Sequence, residues 1–490
     1  MPRKTTTFEL TLPLPKNGEP EYRWLYTVLR NEVLAARLAP GTRLPGTRDL
    51  AAQYRLSRGT VVRAFEELKA EGYLEGSIGS GTYVSKVLPE SMLEITKRTQ
   101  PSAVEAKLRN EPRLSAFAGR VRPFPSYEPR APRAFRAHVP AFDLFPMALW
   151  AQLAGRRLRK LSVSALAGCE SLGYPPLRRA VAGYLAASRG VKCTTEQVMI
   201  VSGAQQAFDL AARLLLDRGD RVAMEDPGYV GAARVFAACG AEVVPVPVDA
   251  AGIRVDDINM KGARLVYVTP GHQFPLGMTM SLARRLELLK WAERANALIF
   301  EDDYDSEYRY SGRPVPALQG LDRSGRVIFA GTFSKVLFPS LRLGYMVLPE
   351  ALVERFAALQ SSTSRHAPVP DQAVLADFIE EGHFGRHLRR MRQVYGERFG
   401  VLLEEGRREL AGLVEISPIE AGLQTCGWLA DGLDERKVVT AAAERGVEVE
   451  PLGRYSVRGL ERPGVHLGFA AVDEREIRRG VRELAVALEG

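Results

Sequence analysis

The sequence predicts a multi-domain chain of two fold classes: a small, mostly helical N-terminal unit with a β-hairpin, and a large C-terminal α/β unit. The large unit is expected to hold a mostly parallel sheet, with a smaller α+β part from about residue 370. Three observations predict this. Residues from about 20 to 86 are basic and helix-rich, and residues 87–140 are rich in Pro, Arg, Ser and Ala. From 141 onward, short apolar runs alternate with helical periodicity, as layered α/β architecture requires. The expected division is a tail over 1–19, a first unit over 20–86, a linker over 87–140 and a second unit over 141–490.

Bulk properties narrow the class. At 490 residues, the chain exceeds one average domain. Its hydrophobic content of 46% and charged content of 26% are ordinary for a soluble globular protein. No apolar run is long enough to span a bilayer, and the basic start Met1-Pro2-Arg3-Lys4 has no apolar segment behind it. A cytoplasmic protein is the expectation. The scattered cysteines Cys169, Cys193, Cys239 and Cys426 form no C-x-x-C pair, so reduced thiols are expected. A net charge of +9 suits an anionic partner without proving one.

In the first unit, a helix is expected from about Tyr22 to Leu38, stopped by Ala39-Pro40-Gly41. Thr47 can cap a second helix, and Ser57 a third that begins Arg58-Gly59-Thr60-Val61. Two short helices joined by a tight turn make a helix-turn-helix pattern, whose second helix offers its N-terminal residues to the major groove. Arginine there can reach guanine or phosphate, and hydroxyls can reach either. The stretch from Gly72 to Val84, with Gly76, Gly79 and Gly81, reads as a hairpin wing. Arg63 lies a turn further along the third helix and reads equally as a DNA contact or a solvated side chain.

In the second unit, five apolar runs read as buried strands: 198–201, 221–224, 265–268, 297–300 and 327–330. Each ends at a polar motif, where ligand residues belong in such sheets. These are Ser202-Gly203-Ala204-Gln205, Glu225-Asp226-Pro227-Gly228-Tyr229, Thr269-Pro270-Gly271-His272-Gln273, Glu301-Asp302-Asp303-Tyr304 and Gly331-Thr332-Phe333-Ser334-Lys335. Arg342 follows the lysine by seven residues. Gly203, Ala204 and Gln205 open a helix, and backbone N–H groups at a helix start bind phosphate.

Gly41-Thr42-Arg43-Leu44-Pro45, Ser57-Arg58-Gly59-Thr60-Val61 and Gly79-Ser80-Gly81-Thr82-Tyr83-Val84 resemble the GntR-type winged helix. That resemblance implies contacts to double-stranded operator DNA from Arg43, Arg48, Ser57, Arg58, Gly59, Thr60 and the wing around Gly79. The strand-end motifs resemble fold-type I aminotransferases over about 350 residues, and the whole chain resembles the MocR subfamily of GntR-type regulators. The resemblance implies pyridoxal 5'-phosphate (PLP) as cofactor. Lys335 would be its Schiff-base lysine, with Ser334, Arg342 and the 203–205 cup at the phosphate. Asp302 would face the pyridine nitrogen, Tyr304 and His272 the phenolic oxygen, and Tyr229 the ring. Arg454 reads either as the holder of an effector carboxylate or as a surface arginine before a strand. Gly271 and Gly453 depart from the subfamily's pattern, where serine is usual.

The function implied is a PLP-dependent transcriptional regulator, a homodimer sensing PLP, an amine or an amino acid. The alternative is a catalytically active aminotransferase with an appended DNA module, since sequence leaves half-reactions open. No metal site is expected: His383 and His387 lie four apart but among Arg386, Arg389, Arg390 and Arg392, without H-E-x-x-H.

Overall fold

The computed structural model describes residues 12, 20–76, 81–86, 113–123, 131–256, 258–311 and 315–489. The chain divides into two compact units, Met1–Arg113 and Leu114–Gly490.

The first unit holds helices α1 (Glu21–Leu34), α2 (Thr47–Tyr54) and α3 (Arg58–Ala70) and the antiparallel pair β1 (Leu74–Glu75) and β2 (Tyr83–Val84). Trp24, Leu25 and Leu29 of α1 and Val61, Phe65 and Leu68 of α3 recur at helical spacing and meet in one core with Leu50 and Val84. α1 ends at Leu34, short of the expected Leu38, because Ala36 turns left-handed (φ 55°); Leu38 still enters the core from the following turn. Ser57 caps α3 as expected, its Oγ accepting the Thr60 N–H at 3.0 Å. Thr47 does not cap α2: it is the first helical residue, and Gly46 holds the cap position. Gly79, expected in the wing, lies outside the described residues.

The second unit is built on an eight-stranded sheet in the order β3-β10-β9-β8-β7-β4-β5-β6. Its strands are β3 (Val198–Val201), β4 (Arg221–Asp226), β5 (Glu242–Asp249), β6 (Gly252–Ile253), β7 (Ala263–Val268), β8 (Leu298–Asp303), β9 (Val327–Thr332) and β10 (Gly344–Val347). The run β9-β8-β7-β4-β5 is parallel, and β3, β10 and β6 join antiparallel. β3, β9 and β10 are buried along their whole length, which explains their continuous apolar runs. Phe208 and Phe236 pack on Tyr267 and Phe300 in one core, and Leu177, Val181 and Leu185 join Met391 and Tyr395 in another. A smaller antiparallel sheet, β11-β12-β14-β13, follows (Val414–Ile416, Gln424–Leu429, Gly464–Gly468, Glu450–Pro451).

The expected linker is too long at its C-terminal end. Ala134 and Phe135 are fully buried in the second unit's core, and Phe135 bridges to Gly468 of β14. The helix Ala116–Arg120 also belongs to this unit, Arg120 donating to the carbonyl of Ala238 at 2.9 Å.

Candidate functional site

The carboxyl ends of β4, β7, β8 and β9 border a cavity of about 360 Å³. Period-two alternation decides which acid of β8 faces it. Glu301 and Asp303 turn the other way: Glu301 accepts the N–H groups of Leu318 and Gln319, both at 2.8 Å, and Asp303 pairs with Arg189 at 2.7 Å. Asp302 lines the cavity, and the Tyr267 hydroxyl donates to it at 2.6 Å. Burial pushes the Asp302 carboxyl up to about 7, with the Tyr267 hydrogen bond opposing and Asp303 and Asp305 reinforcing the shift.

Lys335 lies just beyond β9 and lines the same cavity. Its Nζ donates to the His138 carbonyl at 2.7 Å. Burial pushes this amine down to about 8, against the pull of Asp305, Glu450 and Asp302. A lysine with so low a pKa is a ready nucleophile near neutral pH.

The residues expected from sequence to hold a phosphate come together around Gly203. It takes φ 87° at the start of the helix Ala204–Leu215, and a Cβ there would come within 3.3 Å of Arg342 Nη2. Only glycine suits both the dihedral and the close approach. Arg342, itself left-handed (φ 50°), donates to the Ser202 carbonyl at 3.0 Å. Ala204, Gln205, Ser334 and Arg342 line the cavity with Tyr229, whose hydroxyl accepts from Gln205 Nε2 at 3.3 Å. Burial pushes that tyrosine up to about 12.

His272 is not in the cavity wall, contrary to its expected place at a phenolic oxygen. It is 3% exposed and stands behind Tyr304, which lines the cavity. Its Nδ1 lies 2.8 Å from Asp305 Oδ1 and 3.1 Å from the Tyr304 hydroxyl. A buried carboxylate holds the imidazole, so His272 can act on the cavity only through Tyr304.

Arg454 lines the cavity but is not a free guanidinium. Its Nη1 lies 3.2 Å from Glu450 Oε2, and its head packs 5.5 Å from the Tyr455 ring centroid. Sequence reasoning missed His138, Tyr267, Thr332 and Glu450, which share the cavity wall. Tyr267 carried a faint signal, a polar-tipped residue near the end of an apolar strand. His138 carried none, because it sits in a proline-rich stretch far from every other member.

In the first unit, Arg43, Arg48, Ser57, Arg58 and Gly59 are exposed and Thr60 is half-buried. Ser57 Oγ and Thr60 Oγ1 lie 2.8 Å apart, so these hydroxyls order the start of α3. Arg63 is engaged within the unit, 3.8 Å above the Tyr22 ring centroid and 3.6 Å from Glu67.

Residues 21–84 match the family model described as bacterial regulatory proteins, gntR family, and residues 156–484 match aminotransferase class I and II. Over 469 residues, the chain is 42% identical to the probable rhizopine catabolism regulatory protein MocR of Rhizobium meliloti, covering 96% of this chain and 94% of that one. The chain belongs to the MocR subfamily of GntR-type regulators. Another relative is the pyridoxine biosynthesis transcriptional regulator PdxR of Corynebacterium glutamicum, 31% identical over 94% of each chain. The aminotransferase-like unit of this subfamily member is similar to LysN, the α-aminoadipate aminotransferase of Thermus thermophilus. That likeness has a TM-score of 0.67 and 32% identity, and covers 73% of this chain and 92% of LysN. Among the described residues, no helix is long and apolar enough to cross a membrane.

Proposed function

We propose that this chain is a DNA-binding transcriptional regulator whose aminotransferase-like unit binds PLP and senses PLP itself or a small amine. The observation that carries the reading is Asp302, a buried carboxylate with a neutral hydrogen-bond donor but, among the described residues, no cationic partner at bonding distance. A buried charge is costly unless paired. A protonated pyridine nitrogen supplies the missing cation, and the cavity's other groups fit the rest of the cofactor. Lys335 would hold it covalently; Ser334, Arg342 and the N–H groups of Gly203, Ala204 and Gln205 would take its phosphate; Tyr229 would cover its ring and Tyr304 its phenolic oxygen, with His272 behind. Bound PLP supplies an electron-poor carbonyl that captures primary amines.

The chain's own residues do the remaining work. Asp302 holds a proton at the ring nitrogen, Gln205 orients Tyr229, and Asp305 orients His272 and through it Tyr304. Arg43, Arg48, Arg58 and the wing meet the phosphate backbone, while Ser57, Gly59 and Thr60 approach the groove. An effector acts by binding one conformation of the protein better than another. The working form is a cytoplasmic homodimer, and two DNA modules require two half-sites. The related regulators named for rhizopine catabolism and pyridoxine biosynthesis support an effector that is an amine or the cofactor itself.

The test is DNA protection upstream of the protein's own gene, with and without PLP, repeated with Lys335→Ala. Protection that changes with PLP and loses that response in the variant is the expected result. Absence of specific protection, together with steady-state transamination at metabolic rates, would overturn the reading in favour of an enzyme.

A further inference from the structure

Three nitrogen and oxygen donors converge where no cofactor role is assigned. Glu450 of β13 and His466 of β14 are directly paired across the small sheet, so their side chains share one face. His138 joins them from the loop before the helix Met147–Arg159, its ring centroid 5.2 Å from that of His466. One ligand atom from each of the three lies within 4.8 Å of the other two.

Two independent features mark this cluster as more than packing. His466 is 0% exposed, yet among the described residues neither of its ring nitrogens has a hydrogen-bond partner. Buried polar atoms in native proteins nearly always have one. His138 adopts φ 68°, a left-handed conformation that costs a non-glycine residue energy and that clusters at functional sites. Its main chain is pinned on both sides, the N–H by Gln424 Oε1 at 2.9 Å and the carbonyl by Lys335 at 2.7 Å.

We propose that His138 and Glu450, which line the cavity, and His466, buried behind them, form a binding site for a divalent transition-metal ion of the zinc class. Two imidazoles and one carboxylate are a known zinc donor set that leaves a fourth position open. Tyr455 OH and Arg454 both approach Glu450 through Oε2, which leaves Oε1 for a metal. Lys335 and Arg454 oppose a further positive charge here. Arg454 is already matched by Glu450, and Asp305 offsets Lys335. The competing explanation for the orphan nitrogens is ordered water. The site does not rest on the regulator reading.

The experiment uses the full-length chain in its cofactor-bound form, stripped with a chelator and titrated with Co2+ and then Zn2+. The expected result is one equivalent of Co2+ per chain with a visible ligand-field band that Zn2+ abolishes. Glu450→Gln and His466→Gln should each weaken binding by at least about 10- to 100-fold, the loss that even an outer-shell change brings. Glu450 is partly exposed, so its variant tests the site without endangering the core. No binding at about 1 mM metal would overturn the proposal and assign the orphan nitrogens to water. Binding of unchanged affinity in both variants would overturn it equally.

Discussion

One wall of the cavity comes from the carboxyl ends of the large sheet, the other from His138, Glu450 of β13, Arg454 and Tyr455, with His466 of β14 buried behind. In the first wall, the polar residues sit at or just beyond strand ends: Asp302 near the end of β8, and Ser334 and Lys335 in the turn after β9. Strand alternation aims Asp302, and the turn after β9 carries Lys335. In the second, a cross-strand pair and a strained loop residue meet across more than 300 positions of sequence. The first wall suits a cofactor with a constant shape. The second is where ligand selectivity can vary without disturbing the sheet, because its members hang from the small sheet and a loop.

The largest effect should come from the first wall. Lys335→Ala is expected to abolish covalent attachment of PLP, read by mass spectrometry after borohydride reduction. Retention of a covalent adduct would show that the strand-end lysine is not the attachment point. Asp302→Asn should come next, because it removes the acid from the ring nitrogen. PLP affinity is expected to fall at least 10-fold, measured by equilibrium dialysis.

The same variant has a pH signature in cofactor-free protein. The folded-state pKa of Asp302 is raised above its unfolded value of 3.8, to about 7. Its contribution to stability is therefore fully present below 3.8 and is lost as pH rises through about 7. Asp302→Asn should thus gain stability relative to the parent chain as pH rises from ~5 to ~8, by a few kcal/mol at most. Equal Tm differences at the two pH values would sink that account.

The second wall predicts a gain. Arg454 lies 3.2 Å from Glu450. Glu450→Gln should release the guanidinium and raise affinity for amines that carry a carboxylate, by about 10-fold or about 1.4 kcal/mol. Calorimetry with paired amino acids and their decarboxylated amines would read it. A parallel rise for both would show that Arg454 does not select carboxylates. The smallest effect lies outside the cavity. Ser57→Ala removes the α3 cap and should cost about 1 kcal/mol of stability in the first unit.

These contrasts explain what can be read in advance. Asp302, Tyr304 and Lys335 are legible because each follows or ends an apolar run that becomes a buried strand, and Arg342 because of its spacing from Lys335. For His272 the sequence points to the right segment but the wrong place. Its motif puts it after β7, yet Asp305 draws its Nδ1 behind Tyr304, a pairing that depends on how two loops pack. Thr47 as a cap is one position late, because glycine can hold a cap position without offering a side chain. Arg454 stands out in the sequence, but its ion pair with Glu450 does not.

Sequence by itself determined the two fold classes, the apolar runs that become strands and end in polar motifs, and the Ser57 cap of α3. All of these follow from local periodicity and from chain neighbours, which a sequence displays directly. Only the tertiary structure decided that Ala134 and Phe135 belong to the core, that His272 stands behind the cavity, and that His138, Glu450 and His466 meet. Those outcomes depend on which distant segments burial brings together. Burial is non-directional, and it leaves no periodic trace in the chain.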